Sequence, residues 1–280
     1  MLGVALAIAS LGFAPRTPHL SRPPATTRGC EAPLAVLAPS GVDAMPLAVQ
    51  AGLFGATFVG LGTSAYVIDR AYGALRRPGV LWYAWEFGAA LLLGAIFLTA
   101  GRSHFTMPEA FTAIYPPQGT WGIWYLPGSA EFHVAWTGIA EMGGGSGLLT
   151  GAILDALTLL APTQQASDRN TTDERGELEP QQGARISNPQ RLRPLAARAL
   201  FLLVLCVTPA NFFMFSHGAT MPGVVEGPLP MQWHLARFLA QVSVLSVLLT
   251  LSELQGLNVG RPDDEGGGSA VPSAWPSAPR

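Results

Sequence analysis

The stretch LFLLVLCVTPANFFMFSHGATMPG, residues 200–223, is an apolar run with Pro209, Asn211 and His217 set inside it. Proline removes a backbone donor and frees a carbonyl one turn earlier, where Thr208 and Asn211 can supply hydrogen bonds. We therefore predict a bent membrane helix whose polar residues form the wall and mouth of a cavity. A proline bend that merely fits its neighbours is the alternative.

The composition of the whole chain is that of a membrane protein. Of its 280 residues, 49% are hydrophobic and only 12% are charged, whereas soluble domains carry about 25% charged residues. The formal net charge of −2 argues against nucleic-acid binding, which needs a basic face. The two cysteines, Cys30 and Cys206, lack CxxC spacing, which argues against a disulfide and against a zinc-thiolate site.

Residues 1–40 read as a targeting presequence. LGVALAIA (residues 2–9) is an apolar core followed by small residues, as before a signal-peptidase site. The Arg-containing, acid-poor segment after it is typical of a transit peptide. ASLGFAP (residues 9–15) resembles the bipartite plastid presequence of algae with secondary plastids of red origin, in which a phenylalanine follows the cleavage site. This predicts an integral protein of the thylakoid or plastid envelope, with a secretory-pathway membrane as the alternative.

Five segments are long and apolar enough to cross a bilayer, which takes about 20 residues. They are residues 46–68, 80–100, 131–160, 195–216 and 232–253. We predict an all-α fold, a polytopic transmembrane helix bundle over residues 46–253. Residues 162–194 are polar without an apolar period and predict a disordered loop, and residues 256–280 predict a disordered tail.

The placement of arginine predicts the orientation of the bundle. The loops after the first and third spans are rich in arginine, and those after the second and fourth spans are poor in it. Every histidine of the mature chain then lies near the arginine-poor face: His104, His133, His217 and His234. Preference for the bilayer interface would populate both faces, so this clustering favours a site.

Glu141 lies about ten residues into the third span, roughly 15 Å along the helix at 1.5 Å per residue. An ionisable group there costs ~2.5–3.5 kcal/mol on insertion scales, so we expect it to face the bundle interior. The glycine-rich run that follows, residues 143–147, lets another backbone or a ligand come close. Glu141 is predicted to handle a proton or a ligand, with a structural hydrogen bond as the alternative. Glu86 and Asp155 lie toward the opposite face, where interfacial solvation accounts for them.

His234, Arg237 and Gln241 recur at spacings of three and four residues and so share one face of the fifth span. Arg237 places a full charge about one turn inside the membrane edge. Its side chain has three alternatives: to extend outward to the interface, to pair with a carboxylate such as Glu141 or Glu131, or to bind an anion. We favour pairing or anion binding.

Four stretches occur in the order that resembles the DoxX-like family of small integral membrane proteins. They are FLTAGRSHFTMPEAFTAIYPP (97–117), TGIAEMGGGSGLL (137–149), TPANFFMFSHGATMPG (208–223) and HLARFLAQVSVLSVLL (234–249). The resemblance covers residues 80–252 and implies a four-helix transmembrane core, here preceded by one extra helix. Some members of the family are subunits of a quinol oxidase or of a thiosulfate:quinone oxidoreductase. No cysteine is placed for sulfur chemistry in this chain, which puts the thiosulfate reaction in doubt.

These observations predict a membrane protein that binds a quinone-like or other lipophilic molecule in a polar cavity. Glu141 and His217 are the candidate catalytic residues, which would move protons or bond a carbonyl group. The candidate ligand-binding residues are His104, Asn211, His234, Arg237 and Gln241. A quinone is the candidate cofactor, and membrane lipids and the subunits of a membrane redox complex are the candidate partners.

Two other functions are compatible with the sequence. The chain could be a non-catalytic membrane anchor or assembly subunit that acts through small-residue helix faces and the loop 162–194. It could also be a lipid or sterol isomerase, by analogy of architecture alone. A haem or metal site is least favoured, because the histidines lie on separate helices without a short signature, so no metal ligand is assigned.

Overall fold

The structure, a computed structural model, describes residues 38–75, 79–160, 191–225 and 227–253. All regular secondary structure in these ranges is helical, so the predicted all-α class is confirmed. The presequence, the loop and the tail fall almost wholly outside the described residues, and their predicted boundaries stay predictions.

Seven α-helices and two short 3-10 turns follow one another along the described chain. The helices are α1 (Leu47–Leu75), α2 (Val80–Thr106), α3 (Pro108–Thr112), α4 (Ala130–Leu160), α5 (Leu192–Cys206), α6 (Thr208–His217) and α7 (Met231–Ser252). The 3-10 turns are Val42–Ala44 and Thr120–Gly122. Helix α5 begins three residues before the predicted start of its span. Helix α1 continues seven residues, and α2 six residues, beyond its predicted end.

Four helical segments are long and apolar enough to cross a membrane. They are α1, α2, α7 and the combined segment α5–α6, Leu192–His217. The third predicted span, residues 131–160, lies in the 31-residue helix α4, which is not among these four segments of the described chain. Large apolar side chains such as Val59, Leu92 and Leu202 lie exposed on the outside of the bundle, as expected for a surface that faces lipid.

Helices α2 and α4 approach so closely that their backbones touch through glycines. A Cβ atom on Gly145 would lie 2.7 Å from the carbonyl oxygen of Gly94, and one on Gly101 would lie 2.7 Å from that of Gly138. Real side-chain carbons cannot be this close, so only glycine fits. The predicted close backbone approach beside Glu141 is therefore confirmed at Gly145, whereas Gly143 points into open space.

The remaining helices continue this packing as a row around one apolar core. Helix α4 lies against α5, α5 against α7, and α7 against α1. Fully buried side chains from all of these helices form the core, among them Leu61, Leu148, Leu200, Leu245 and Leu248. The row forms a bundle whose two ends carry different polar groups.

A buried ion cluster lies at the end of the bundle where α2 begins. The Arg193 Nε atom is 2.8 Å from Asp155 Oδ2, and Arg193 NH1 is 3.4 Å from Glu86 Oε2. The indole N–H of Trp82 also donates to Glu86, at 2.6 Å. Glu86 is only 2% exposed, so the expectation that interfacial solvation accounts for this carboxylate was wrong; Trp82 of its own helix and Arg193 of α5 bond it instead.

The opposite end is closed by the segment between α2 and α4. Trp121 lies in that segment and is only 1% exposed. Its backbone has a positive φ of 56°, which residues other than glycine rarely adopt. Its ring stacks on Phe54 with centroids 4.5 Å apart, and its indole N–H donates to Ser216 Oγ at 3.0 Å. Trp121 thereby holds the connecting segment against α1 and α6.

Candidate ligand cavity and buried His–Glu pair

The break between α5 and α6 arises where the sequence predicted it. Helix α5 ends at Cys206 and α6 begins at Thr208, with Pro209 in the first turn. The Thr208 hydroxyl donates to the carbonyl oxygen of Val204 at 3.1 Å, one turn earlier, as Thr side chains do at weakened points of membrane helices. Helix α6 then ends at His217, with Gly218 in the left-handed conformation as its cap.

A polar network crosses from this break to α7. Gln241 Nε2 donates to Thr208 Oγ1 at 2.6 Å and to the Val204 carbonyl oxygen at 3.2 Å. Asn211 Nδ2 donates to Gln241 Oε1 at 3.2 Å. The prediction that Thr208 and Asn211 supply hydrogen bonds near the proline is confirmed, and the bond of Asn211 reaches another helix.

Arg237 joins the same network one turn earlier on α7. Its NH2 group donates to Asn211 Oδ1, and its NH1 group donates to the Met214 sulfur at 2.8 Å. The residue is only 8% exposed, and its Nε atom has no hydrogen-bond partner among the described residues. A guanidinium has five N–H donors, so the two described bonds leave part of it unsatisfied.

The expected carboxylate partners of Arg237 are engaged or placed elsewhere. Glu141 faces His104, with 3.4 Å between Oε2 and the imidazole Nε2, and Glu131 is exposed at the start of α4. The expectation of an ion pair between Arg237 and either glutamate was therefore wrong. Among the described residues the neutral side chains of Asn211 and Met214 bond the guanidinium instead.

This network forms the floor of a cavity of about 410 Å³ between α1, α6 and α7. Its polar lining residues are Thr57, Thr208, Asn211, His234, Arg237 and Gln241, and its apolar ones are Phe212, Phe215, Met231, Leu235 and Phe238. Met231 and Leu235 are 48% and 60% exposed, so the rim of the cavity on the α7 side is apolar and faces outward. The predicted stripe of His234, Arg237 and Gln241 lies together on its wall.

The other three candidate site residues are absent from the lining of this cavity. His217 packs on Phe213 with ring centroids 5.0 Å apart, and its Nδ1 lies 2.8 Å from Ser216 Oγ, which also accepts the indole N–H of Trp121. His104 and Glu141 form a separate site between α2 and α4. The structure thus divides the expected single pocket into a cavity, a buried pair and a structural histidine.

The His104–Glu141 pair is almost fully enclosed, at 1% and 2% exposed. His104 Nδ1 lies 2.9 Å from the carbonyl oxygen of Val134. Because a carbonyl only accepts, Nδ1 carries a hydrogen. Phe111 of α3 covers the imidazole ring, with centroids 4.0 Å apart. His104 Nε2 and Glu141 Oε2 face each other at 3.4 Å, and neither atom has a hydrogen-bond partner among the described residues.

Met214 connects the two sites physically. Its sulfur accepts from Arg237 on the cavity side, and its side chain belongs to the same apolar cluster as Phe111 and Val134. Phe111 stacks on His104, and the Val134 carbonyl accepts from it. Side chains of one apolar cluster therefore contact both the Arg237 guanidinium and the buried pair.

Sequence reasoning missed the part of the site that comes from α1. Thr57 lines the cavity, although it belongs to the extra helix outside the four-helix pattern. A lone threonine in an apolar span carries no spacing signal, so nothing in the sequence marked it. The four histidines lie at one end of the bundle, in contact with Val134, Pro127, Ser216 and Phe215 respectively.

No family model, no curated protein and no solved structure matches the chain.

Proposed function

We propose that this protein binds a lipophilic molecule with an oxygen-bearing polar head group in the cavity between α1, α6 and α7, and that a quinone is the type of ligand. The observation that carries the proposal is the cavity itself. Its volume of about 410 Å³ falls within the range of about 300–1,000 Å³ usual for small-molecule sites.

The chemistry of the wall suits an acceptor group on a planar ring. Arg237 Nε and His234 Nε2 are buried and unpartnered among the described residues, and both residues line the cavity. Either could bond a carbonyl oxygen. Phe212, Phe215 and Phe238 supply apolar ring faces around them, and aromatic pairs favour offset-stacked or edge contacts.

The apolar rim provides a route from the membrane. Met231 and Leu235 are exposed at the start of α7, on a helix long and apolar enough to cross a bilayer. A ligand carried in the acyl chains would enter between them without crossing water. Its tail would stay in lipid while its head group meets Arg237.

A quinone is preferred among such molecules because of the DoxX-like resemblance of residues 80–252, which links the chain to quinone-coupled redox subunits. On this proposal the protein is a subunit or partner of a membrane redox complex. The presequence-like residues 1–40 lead us to propose a plastid membrane as its location, testable by mapping the amino terminus of the mature protein and by imaging a fluorescent fusion.

The test of binding uses the full chain in nanodiscs of phosphatidylcholine, titrated with a short-tailed benzoquinone. A Thr57→Trp substitution places an indole in the cavity and should abolish binding, whereas Thr63→Trp, on the exposed side of the same helix, should leave it unchanged. Absence of quinone binding by the wild-type protein would refute the proposal that the ligand is a quinone. Equal binding by the two tryptophan variants would place it outside this cavity.

A further inference from the structure

The charge of the cavity floor identifies the ligand more narrowly than its shape does. Arg237 is charged at any physiological pH, it is 8% exposed, and it lines the cavity. None of the cavity-lining residues is acidic. The described ion pairs with carboxylates involve other residues, His104 and Arg193. Within the described part of the chain, the cavity therefore carries one uncompensated buried positive charge.

Such an arrangement is costly when the cavity holds nothing but lipid tails. A buried charge is tolerated when it is paired and hydrogen-bonded, and here the described bonds go to a neutral amide oxygen and a thioether sulfur, which is a weak acceptor. The Nε–H has no described partner. Each of these features is explained if the missing partner is an anion brought by the ligand.

We propose that the cavity is a binding site for the carboxylate of a single-chain lipophilic acid, with Arg237 as its counter-ion. This inference rests on the proposed use of the cavity for a lipophilic molecule with an oxygen-bearing head group, and within that class it favours a carboxylate over a neutral quinone. Arg237 is the seventh residue of α7, about 9 Å along the helix from its start at 1.5 Å per residue. The apolar walls formed by Phe212, Phe215 and Phe238 then hold the first part of the chain.

The depth of Arg237 favours a carboxylate over the phosphate of a membrane phospholipid. A fatty acid can enter the membrane in its neutral form and release its proton to water or to a neighbouring base when it reaches the guanidinium. A phosphodiester stays charged and would have to be drawn below the head-group layer. His234 is the other ionisable residue in the wall, and its unpartnered Nε2 can donate to or accept from the same head group.

The experiment compares three molecules on the full chain in phosphatidylcholine nanodiscs: palmitate, hexadecanol and acetate. Palmitate and hexadecanol share a chain and differ in charge, and acetate has the head group alone. Because a hydrogen bond to a charged group contributes about 1.5–3 kcal/mol, palmitate should bind about tenfold or more tightly than hexadecanol. Acetate should not bind measurably. Equal affinities for palmitate and hexadecanol would overturn the proposal.

Substitutions of arginine test whether Arg237 supplies the positive charge that binds the carboxylate. Arg237→Gln should weaken palmitate about tenfold and change hexadecanol binding less than twofold, and Arg102→Gln, at an exposed arginine near the same end of the bundle, should change neither. Arg237→Lys keeps the charge and should retain most of the palmitate affinity, which provides a second test if the glutamine variant fails to fold. Unchanged palmitate binding in the glutamine variant would refute the assignment to Arg237.

A final comparison distinguishes a fatty acid from a phospholipid as the source of the anion. It also distinguishes failure of the anion inference from failure of the proposed binding function. Replacing a third of the phosphatidylcholine by phosphatidylglycerol should lower palmitate affinity less than twofold; complete displacement would assign the site to a phospholipid head group and overturn the carboxylate. If the benzoquinone and hexadecanol bind but palmitate binds no better, the anion inference fails alone. If no probe binds, the cavity is not a ligand site and both proposals fail.

Discussion

Gln241 on α7 donates a 2.6 Å hydrogen bond from Nε2 to Thr208 Oγ1, at the break between α5 and α6. The same amide reaches the Val204 carbonyl oxygen before the break, at 3.2 Å, and accepts from Asn211 after it, also at 3.2 Å. One buried side chain therefore bonds both halves of a broken helix to its neighbour. Because Pro209 cannot donate a backbone hydrogen bond, this cross-helix bonding fixes the cavity wall at its weakest point.

Replacing Gln241 with leucine should destabilise the bundle. The substitution removes the hydrogen bonds that Gln241 makes with Thr208, with the Val204 carbonyl oxygen and with Asn211 in an apolar site, and removing one partner of a buried hydrogen bond costs about 1–3 kcal/mol. We expect a loss of that size in the free energy of unfolding, measured by denaturant titration in mild detergent. Ser243→Ala, at an exposed site on the same helix, is the control. A leucine variant as stable as this control would show that the network contributes nothing.

The two glycine positions that flank Gly144 give a matched pair on α4. Gly145→Ala puts a Cβ atom 2.7 Å from the Gly94 carbonyl oxygen and 3.0 Å from the Leu98 backbone nitrogen. Both are backbone atoms that cannot turn aside, so the helices have to separate at a cost of about 1–3 kcal/mol. Gly143→Ala meets no atom within 4 Å and should be neutral or stabilising by about 0.5–1 kcal/mol through helix propensity. Thermal unfolding of the two variants checks the order, and the reverse order would contradict the observed packing.

The ion cluster at the other end should respond asymmetrically to mutation. Arg193→Met removes the cation that pairs with both Glu86 and Asp155. Removing one partner of a buried ion pair typically costs about 3–5 kcal/mol, and we expect a loss near the lower end because the Asp155 side chain is 28% exposed. Adding Glu86→Gln and Asp155→Asn to Arg193→Met should restore most of the loss. Arg198→Met, at an exposed site on α5, should change stability little, and a triple variant as unstable as the single one would count against charge as the cause.

The two ends of the bundle should report opposite compartments. In a chain with serine at both cysteine positions, single cysteines at Val80 and Ile123 place thiols at exposed positions, 83% and 53% exposed, on opposite ends. A membrane-impermeant maleimide added to sealed vesicles should label one of them and not the other. Labelling of both from the same side would contradict the transmembrane arrangement and the orientation inferred from arginine placement.

Sequence spacing correctly predicted which polar residues share a face of one helix, but it did not predict which residues contact each other across helices. The stripe of His234, Arg237 and Gln241 follows from the helical repeat alone, and all three line one cavity. The partner of Glu141 could not be predicted in this way. It depends on the glycine contacts that set α2 against α4, which place His104 opposite Glu141 and leave Arg237 on the far side of Met214.

Polar residues in apolar spans were correctly expected to point inward, because unpaired charge in lipid is costly. The sequence did not show that the candidate site residues are divided among the cavity, the buried His104–Glu141 pair and the separate His217. His217 and Glu141 have the same sequence signature, a polar group inside an apolar run, yet His217 lies beside Ser216 and Glu141 in a sealed pair. The difference is made by the segment between α2 and α4, where Trp121 and Phe111 pack in ways that no local pattern indicates.

The contribution of the His104–Glu141 contact to stability can be tested by substitutions of similar size. Glu141→Gln keeps a donor, since its amide can face His104 Nε2, whereas Glu141→Met fills the space without one. The methionine variant replaces the polar group opposite His104 Nε2 by an apolar one, so it should lose about 1–3 kcal/mol more in free energy of unfolding than the glutamine variant, whose amide can donate to this nitrogen. Glu131→Gln, at an exposed position on the same helix, should be neutral. Equal losses for glutamine and methionine would show that the negative charge of Glu141, rather than a donated hydrogen bond, stabilises His104 beneath Phe111.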